Sequence, residues 1–363
     1  MENTLLLRHA RGNYLPHPYD ARGSTAMRLT TLIFPAAVLV LALLAGPAFA
    51  ASSSRLPVVV SIAPQKYMLE RVAGEAVSVS VLLKPGSDPH AYEPGPAQMR
   101  DVASAAAWFT IGVPFEAAWQ HRISGAIKNL RVIPMEQSIR RLAYGEPVRT
   151  IADLHKALIE LGKHQHRDQR HDFTLQEGTQ AFQRGENGRN GARGNGHAED
   201  DPHVWLSPAA VRAMLPGLVR DLASLMPGKE EAFKANAKLF DDELEALDGE
   251  LEERFGKVPP LKRVFLSFHP SWGYYAHNYQ LIELSIEADG KEPGPRSLKA
   301  ITDMAKKLGI TSVFVEPQFP KASAKAIADT IGASLVEADP LEEDLLSLYR
   351  RMADKLLASF NHD

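Results

Sequence analysis

Short apolar runs alternate with helical segments along most of the chain, and this alternation is the feature that most constrains the fold. Such strand–helix–strand units build parallel sheets with helices packed on their faces. The apolar runs form two series of predicted strands, one over 56–63, 76–83, 108–112 and 131–133, and the other over 262–268, 281–286, 312–316 and 334–338. The pattern therefore predicts an α/β protein with two lobes, each a parallel β-sheet flanked by helices.

A long helical pattern separates the two series of strands. Apolar residues recur every three or four positions from Phe233 to Phe255, which makes one stripe along a helix. At about 1.5 Å per residue the helix is on the order of 40 Å long, more than a crossover within one small sheet requires. We therefore predict an N-terminal lobe over 51–227, a linker helix over 228–256 and a C-terminal lobe over 257–363.

The first fifty residues carry the pattern of an export signal. A short basic start at Met27 precedes an apolar core over 32–45, and the triplet AFA at 48–50 matches a cleavage site. The core is short for a membrane span, and an uncut signal anchor is the alternative. We expect residues 27–50 to be a signal peptide cleaved at its end, and residues 1–26 to be a non-native extension. An exported chain without a lipid anchor indicates a periplasmic protein.

Residues 163–199 have a composition that cannot build a hydrophobic core. The stretch is rich in Arg, Gln, Asn and Gly, and it contains four scattered histidines: His164, His166, His171 and His197. Polar segments of low complexity stay solvated. We interpret the stretch as a mobile insert in the N-terminal lobe. Two roles stay open for it, namely weak gathering of metal by its histidines or no role at all.

Composition limits the chemistry that the chain can support. None of its 363 residues is cysteine, which excludes disulfides, thiolate nucleophiles and cysteine-based metal sites. Any bound metal must therefore be held by histidine and carboxylate. The net charge of −3 gives no sign of a basic surface for a polyanion, so we expect no nucleic-acid partner. The 45% hydrophobic and 23% charged composition is that of a globular protein, which we expect to be a monomer.

Three histidines and one aspartate share a setting that suits a ligand site. His90, His203, His269 and Asp339 are each predicted in a turn at the edge of a sheet, with proline beside all four. Ligands of open α/β sheets bind at the carboxyl ends of strands, and a cleft between lobes would bring two residues from each lobe together. Three imidazoles and a carboxylate suit four-coordinate zinc at about 2.0–2.2 Å. The alternative for each histidine is a hydrogen bond to a neighbouring loop.

Five segments resemble the periplasmic metal-binding proteins of zinc and manganese ABC importers: HAYEP at 90–94, DPHVWLSP at 201–208, FHPSWGY at 268–274, GKEPGP at 290–295 and EPQF at 316–319. The resemblance covers nearly all of 55–360, in order. It implies two lobes joined by one rigid helix, with metal held between them by His90, His203, His269 and Asp339. Histidine at 269, where the manganese branch usually carries glutamate, resembles the zinc branch, and imidazole favours zinc. The resemblance implies that the chain captures Zn²⁺ and delivers it to a membrane permease, without catalysis.

Two alternatives remain open at this point. The first is a manganese or iron binder of the same family. The second is a zinc hydrolase with three protein ligands and an activated water, for which Glu93 or Glu316 would serve as the general base. No compact catalytic motif supports the hydrolase, and both glutamates have a simpler role as hydrogen-bonding partners near the site.

Overall fold

The computed structural model describes residues 55–142, 200–287 and 294–360. The predicted extension over 1–26, the signal peptide over 27–50 and the insert over 163–199 lie outside these ranges. Among the described residues, no helix combines the length and the apolar character that crossing a bilayer requires.

The first lobe contains a four-stranded parallel sheet. Its strands are β1 Leu56–Val60, β2 Val77–Val81, β3 Ala107–Thr110 and β4 Arg131–Pro134. The helices described in this lobe are α1 Ala63–Ala73, α2 Pro96–Ser104, α3 Pro114–Ala126 and α4 Pro208–Leu225. The strand order is β2-β1-β3-β4, with every pair parallel. The parallel sheet predicted from the strand–helix–strand pattern is thus confirmed.

The second lobe repeats this arrangement. Its strands are β5 Val264–Ser267, β6 Ile282–Ser285, β7 Ser312–Val315 and β8 Ser334–Glu337. The helices described here are α6 Gly273–Asn278, α7 Pro295–Lys307, α8 Lys321–Ile331 and α9 Leu345–Phe360. The order β6-β5-β7-β8 is again all parallel. In each sheet the order of the strands reverses beside the first strand. Open α/β sheets form their ligand-binding crevices at such a reversal, at the carboxyl ends of the strands.

A single long helix, α5 Glu230–Gly256, connects the two lobes. The whole predicted apolar stripe is buried: Phe233, Ala237, Phe240, Leu244, Leu247, Leu251 and Phe255. The helix packs against α1 and α4 in the first lobe and against α9 in the second. It ends before Pro259 and Pro260, since proline cannot continue a helix.

One hydrophobic core runs through both lobes. It includes the first sheet and α5, and it continues into Phe265, Tyr275, Phe314 and Tyr349 of the second lobe. A separate cluster covers the opposite face of the second sheet. Lobes that share a continuous buried apolar interface do not swing freely. The core therefore supports the rigid connection that the family resemblance implies.

Candidate metal centre

The structure brings three of the four predicted ligands together. His90 lies in the loop between β2 and α2, and His269 lies two residues beyond the end of β5. His203 directly precedes a short 3-10 helix, Val204–Leu206, that leads into α4. One ring nitrogen from each histidine lies within 4.8 Å of the other two. Loops from both lobes therefore meet at one point.

The three imidazole rings are shielded from solvent and lie edge to face. His203 is 3% exposed, His269 is 4% exposed and His90 is half-buried. The ring centre of His269 lies 4.9 Å from that of His90 and 5.5 Å from that of His203, at interplanar angles of 75° and 71°. Zinc holds nitrogen ligands at about 2.0–2.1 Å, which places tetrahedral nitrogens about 3.4 Å apart. A closing movement on the order of 1 Å would therefore let all three rings bind one ion.

Two buried carboxylates orient two of the rings. The Nδ1 atom of His203 lies 2.7 Å from Oδ1 of Asp201, and the Nδ1 atom of His269 lies 2.9 Å from Oε2 of Glu287. A carboxylate accepts, so Nδ1 donates and Nε2 keeps the lone pair that a metal requires. The Nε2 atom of His269 is buried and has no hydrogen-bond partner among the described residues. The ring is thus held ready for a ligand.

The sequence analysis missed both carboxylates, although Asp201 has a local signal. The triplet Asp-Pro-His occurs at 88–90 and again at 201–203. In each copy the histidine N–H donates to the aspartate two residues earlier, over 2.8 Å for His90 and 2.9 Å for His203. This turn fixes the backbone of both ligands. Glu287 has no such signal beyond its place just after β6.

Every strand of the second sheet ends in a polar residue at the cleft edge. His269, Glu287, Glu316 and Asp339 follow β5, β6, β7 and β8 by one or two residues. Asp339 is not part of the three-histidine group. Its Oδ1 accepts from the Gln318 side chain at 2.7 Å and from the Leu341 N–H at 2.9 Å. Asp339 as the fourth ligand stays a prediction.

The histidines line a cavity with room for little more than one ion. The lining residues are Pro89, His90, His203, Trp205, His269, Gln318, Phe319, Pro340 and Leu341. The cavity offers about 10 Å³ to the centre of a water-sized sphere, which is near the minimum for a single water. Trp205 is held in the wall, because its Nε1 donates to the Pro340 carbonyl at 2.7 Å. The space between the three rings therefore suits an ion better than an organic molecule.

The two glutamates considered as general bases are poorly suited to that role. Glu316 is 1% exposed and accepts a hydrogen bond from Ser271 Oγ at 2.9 Å. Burial raises the pKa of Glu316 to about 8, because the charged carboxylate loses its solvation there. Glu93 is exposed and does not line the cavity. Glu316 is therefore a buried hydrogen-bonding partner of Ser271, two positions beyond His269, and the role expected for Glu93 stays a prediction.

Gly273 allows the second lobe to approach the carboxylate that orients His203. A Cβ atom at position 273 would lie 2.7 Å from Oδ2 of Asp201. Gly273→Ala therefore forces Asp201 to move, and we expect Zn²⁺ affinity to fall about 10- to 100-fold, the usual loss when an orienting partner is disturbed. Competition with a chelating dye measures the affinity.

Gly249→Ala is the matched control, because a Cβ atom at that position on α5 has no neighbour within 4 Å. We expect this variant to bind Zn²⁺ like the parent chain. Unchanged affinity in Gly273→Ala would show that the position of Asp201 does not matter for binding.

Comparison with known proteins identifies the family of the chain. A family model described as "Zinc-uptake complex component A periplasmic" (ZnuA) matches residues 58–359. The zinc-binding protein AdcA of Streptococcus pyogenes is 24% identical over 293 residues, which are 80% of this chain and 51% of AdcA. The chain therefore spans about half the length of this curated relative.

Solved structures share the fold. A crystal structure of ZnuA is 32% identical with a TM-score of 0.67, and the match covers 85% of this chain and 100% of that one. A zinc-bound deletion mutant of ZnuA gives 32% identity and a TM-score of 0.68 over the same shares. The periplasmic zinc-binding protein TroA of Treponema pallidum, at 16% identity and a TM-score of 0.64, covers 85% of this chain and 100% of its own and shares the fold.

Proposed function

Because the chain belongs to the family of periplasmic zinc-uptake components, we propose that it captures Zn²⁺ and delivers it to the permease of an ABC importer. The observation that carries the proposal is the convergence of His90, His203 and His269 in one small buried cavity. In this role the three histidines are the metal ligands. The family is one of solute-binding transport proteins and not of enzymes.

The nitrogen ligands of the site favour zinc over manganese or iron. Three neutral imidazoles supply nitrogen ligands, which suit zinc, whereas oxygen ligands suit manganese. Asp201 and Glu287, which are 2% and 6% exposed, stand behind two of the rings and accept hydrogen bonds from their Nδ1 atoms. These bonds leave the Nε2 atom of each ring to bind the ion.

The hydrolase alternative has little support from the site. A catalytic zinc needs an open coordination position, a water and a general base. Neither Glu316 nor Glu93 is among the residues that line the cavity, so neither is placed to act as a general base. A site lined by three histidines without a general base suits capture and release of the ion itself.

The cellular setting of the proposal follows from the sequence. The signal peptide over 27–50 would direct the chain to the periplasm and be removed at its end, leaving a mature protein that begins near Ala51. The chain would act as a monomer, with the importer permease as its partner. Its net charge of −3 supports no role in binding nucleic acid.

Metal competition tests the choice of ion. Purified protein loaded with Zn²⁺ is mixed with a roughly 100-fold excess of Mn²⁺, desalted and analysed for bound metal. We expect Zn²⁺ to be retained, because the Irving–Williams order and the imidazole ligands both favour it. Replacement of Zn²⁺ by Mn²⁺, or by Fe²⁺ in a parallel sample, would contradict the zinc assignment.

A further inference from the structure

A fourth polar residue lines the same cavity as the three histidines, and it is not one that the sequence analysis identified as a ligand. This residue is Gln318, which lines the cavity together with His269 and Phe319. It lies in a turn closed by a hydrogen bond from the Phe319 N–H to the Glu316 carbonyl, over 3.2 Å. The Phe319 ring in turn packs 4.9 Å from the ring of His269. Gln318 is therefore positioned by the same packing that positions a metal ligand.

The orientation of the Gln318 amide is fixed by Asp339. Its Nε2 donates to Oδ1 of Asp339 over 2.7 Å, and a carboxylate oxygen can only accept. The amide nitrogen must therefore face Asp339, and the amide oxygen must face the other way. That oxygen is buried and has no hydrogen-bond partner among the described residues. A buried acceptor without a partner is costly unless a ligand supplies one.

We propose that the side-chain oxygen of Gln318 completes the shell of the bound ion, and that Asp339 acts through Gln318 by orienting its amide. Because Gln318 lines the cavity and its amide oxygen has no other hydrogen-bond partner among the described residues, the proposed contact of this oxygen with the ion is direct. The centre then has three imidazole nitrogens and one neutral oxygen.

This inference rests on the proposed zinc-binding function and concerns the fourth contact of the same site. It assigns Asp339 the role of positioning the Gln318 amide, and not that of binding the metal directly. These two roles of Asp339 differ in one measurable respect. A direct ligand acts whether or not Gln318 is present, whereas a positioning residue has no effect once the group it positions is gone.

A double-mutant cycle separates the two roles. Gln318→Met removes the amide while keeping the length of the side chain, and Gln318→Leu removes it with a shorter one. We expect each variant to weaken Zn²⁺ binding about 10- to 100-fold. We expect Asp339→Ala to weaken binding about tenfold in the parent chain and to have no further effect in the Gln318→Met chain. Affinities come from competition with a chelating dye. Thermal unfolding without metal should be the same for the parent and Gln318→Met chains.

Three outcomes are decisive. Equal losses from Asp339→Ala in both backgrounds would show that Asp339 contacts the ion independently and would overturn the inference. Unchanged affinity in both Gln318→Met and Gln318→Leu would also overturn it. Failure of the proposed function gives a different result, because then the parent chain itself would show no specific Zn²⁺ affinity, or its His203→Ala variant would bind Zn²⁺ as tightly as the parent chain.

Discussion

Replacing His269 with alanine should weaken Zn²⁺ binding by about 10²- to 10³-fold. Four-ligand protein zinc sites bind with roughly 10–16 kcal/mol, so one ligand accounts for about 3–4 kcal/mol, or two to three orders of magnitude in affinity. His269 is also the ring whose Nε2 is buried without a partner among the described residues. The substitution leaves the buried Glu287 carboxylate without the imidazole that bonds to it, so we also expect lower thermal stability.

His277→Ala is the matched control for this prediction. His277 lies on α6, eight positions further along the chain, and it is exposed. We expect this variant to retain the parent affinity for Zn²⁺ in the same dye competition. Loss of affinity in the His277 variant, or its retention in the His269 variant, would be incompatible with the three-histidine centre.

Most of the fold could be predicted because its elements have strong periodic patterns. The stripe of α5 and the apolar strands of both sheets are set by burial, which the sequence shows directly. Helix α3 Pro114–Ala126 was not predicted, because it buries only Phe115, Glu116 and Ile123 and so lacks an apolar stripe. Helix α2 ends at Ser104, since Ala107 already pairs with Arg131 in the sheet.

The site was predictable only where a residue has its own local signal. The three histidines stand out because each lies in a proline-flanked turn. Glu287 and Gln318 have no comparable signal, because each acquires its role from a contact with another strand-end loop in the folded chain. Residues that orient a metal ligand are therefore harder to find in a sequence than the ligand itself. The repeated Asp-Pro-His triplet is the exception, because there the local sequence does reveal an orienting residue, Asp201.

Lowering the pH should release Zn²⁺ steeply. An imidazole binds metal only in its neutral form, and the ordinary pKa of histidine is about 6.5. As the pH falls, protons therefore compete with the ion for the rings of His90, His203 and His269. Affinity should fall by up to about 10³-fold per pH unit in the acid range, since each of the three imidazoles must be free of its proton to bind.

The slope of this pH dependence counts the histidines that hold the metal. Dye competition from pH 7.5 to pH 5 gives the apparent affinity, after correction for protonation of the dye. A centre with three imidazoles approaches a slope of three protons per ion, whereas the His269→Ala variant should approach two wherever its weaker binding can be measured. A carboxylate-dominated centre would lose its metal only near pH 4, since carboxylates protonate there. Zinc affinity that stays constant down to pH 5 would therefore exclude the three-histidine site and, with it, the proposed role in zinc capture.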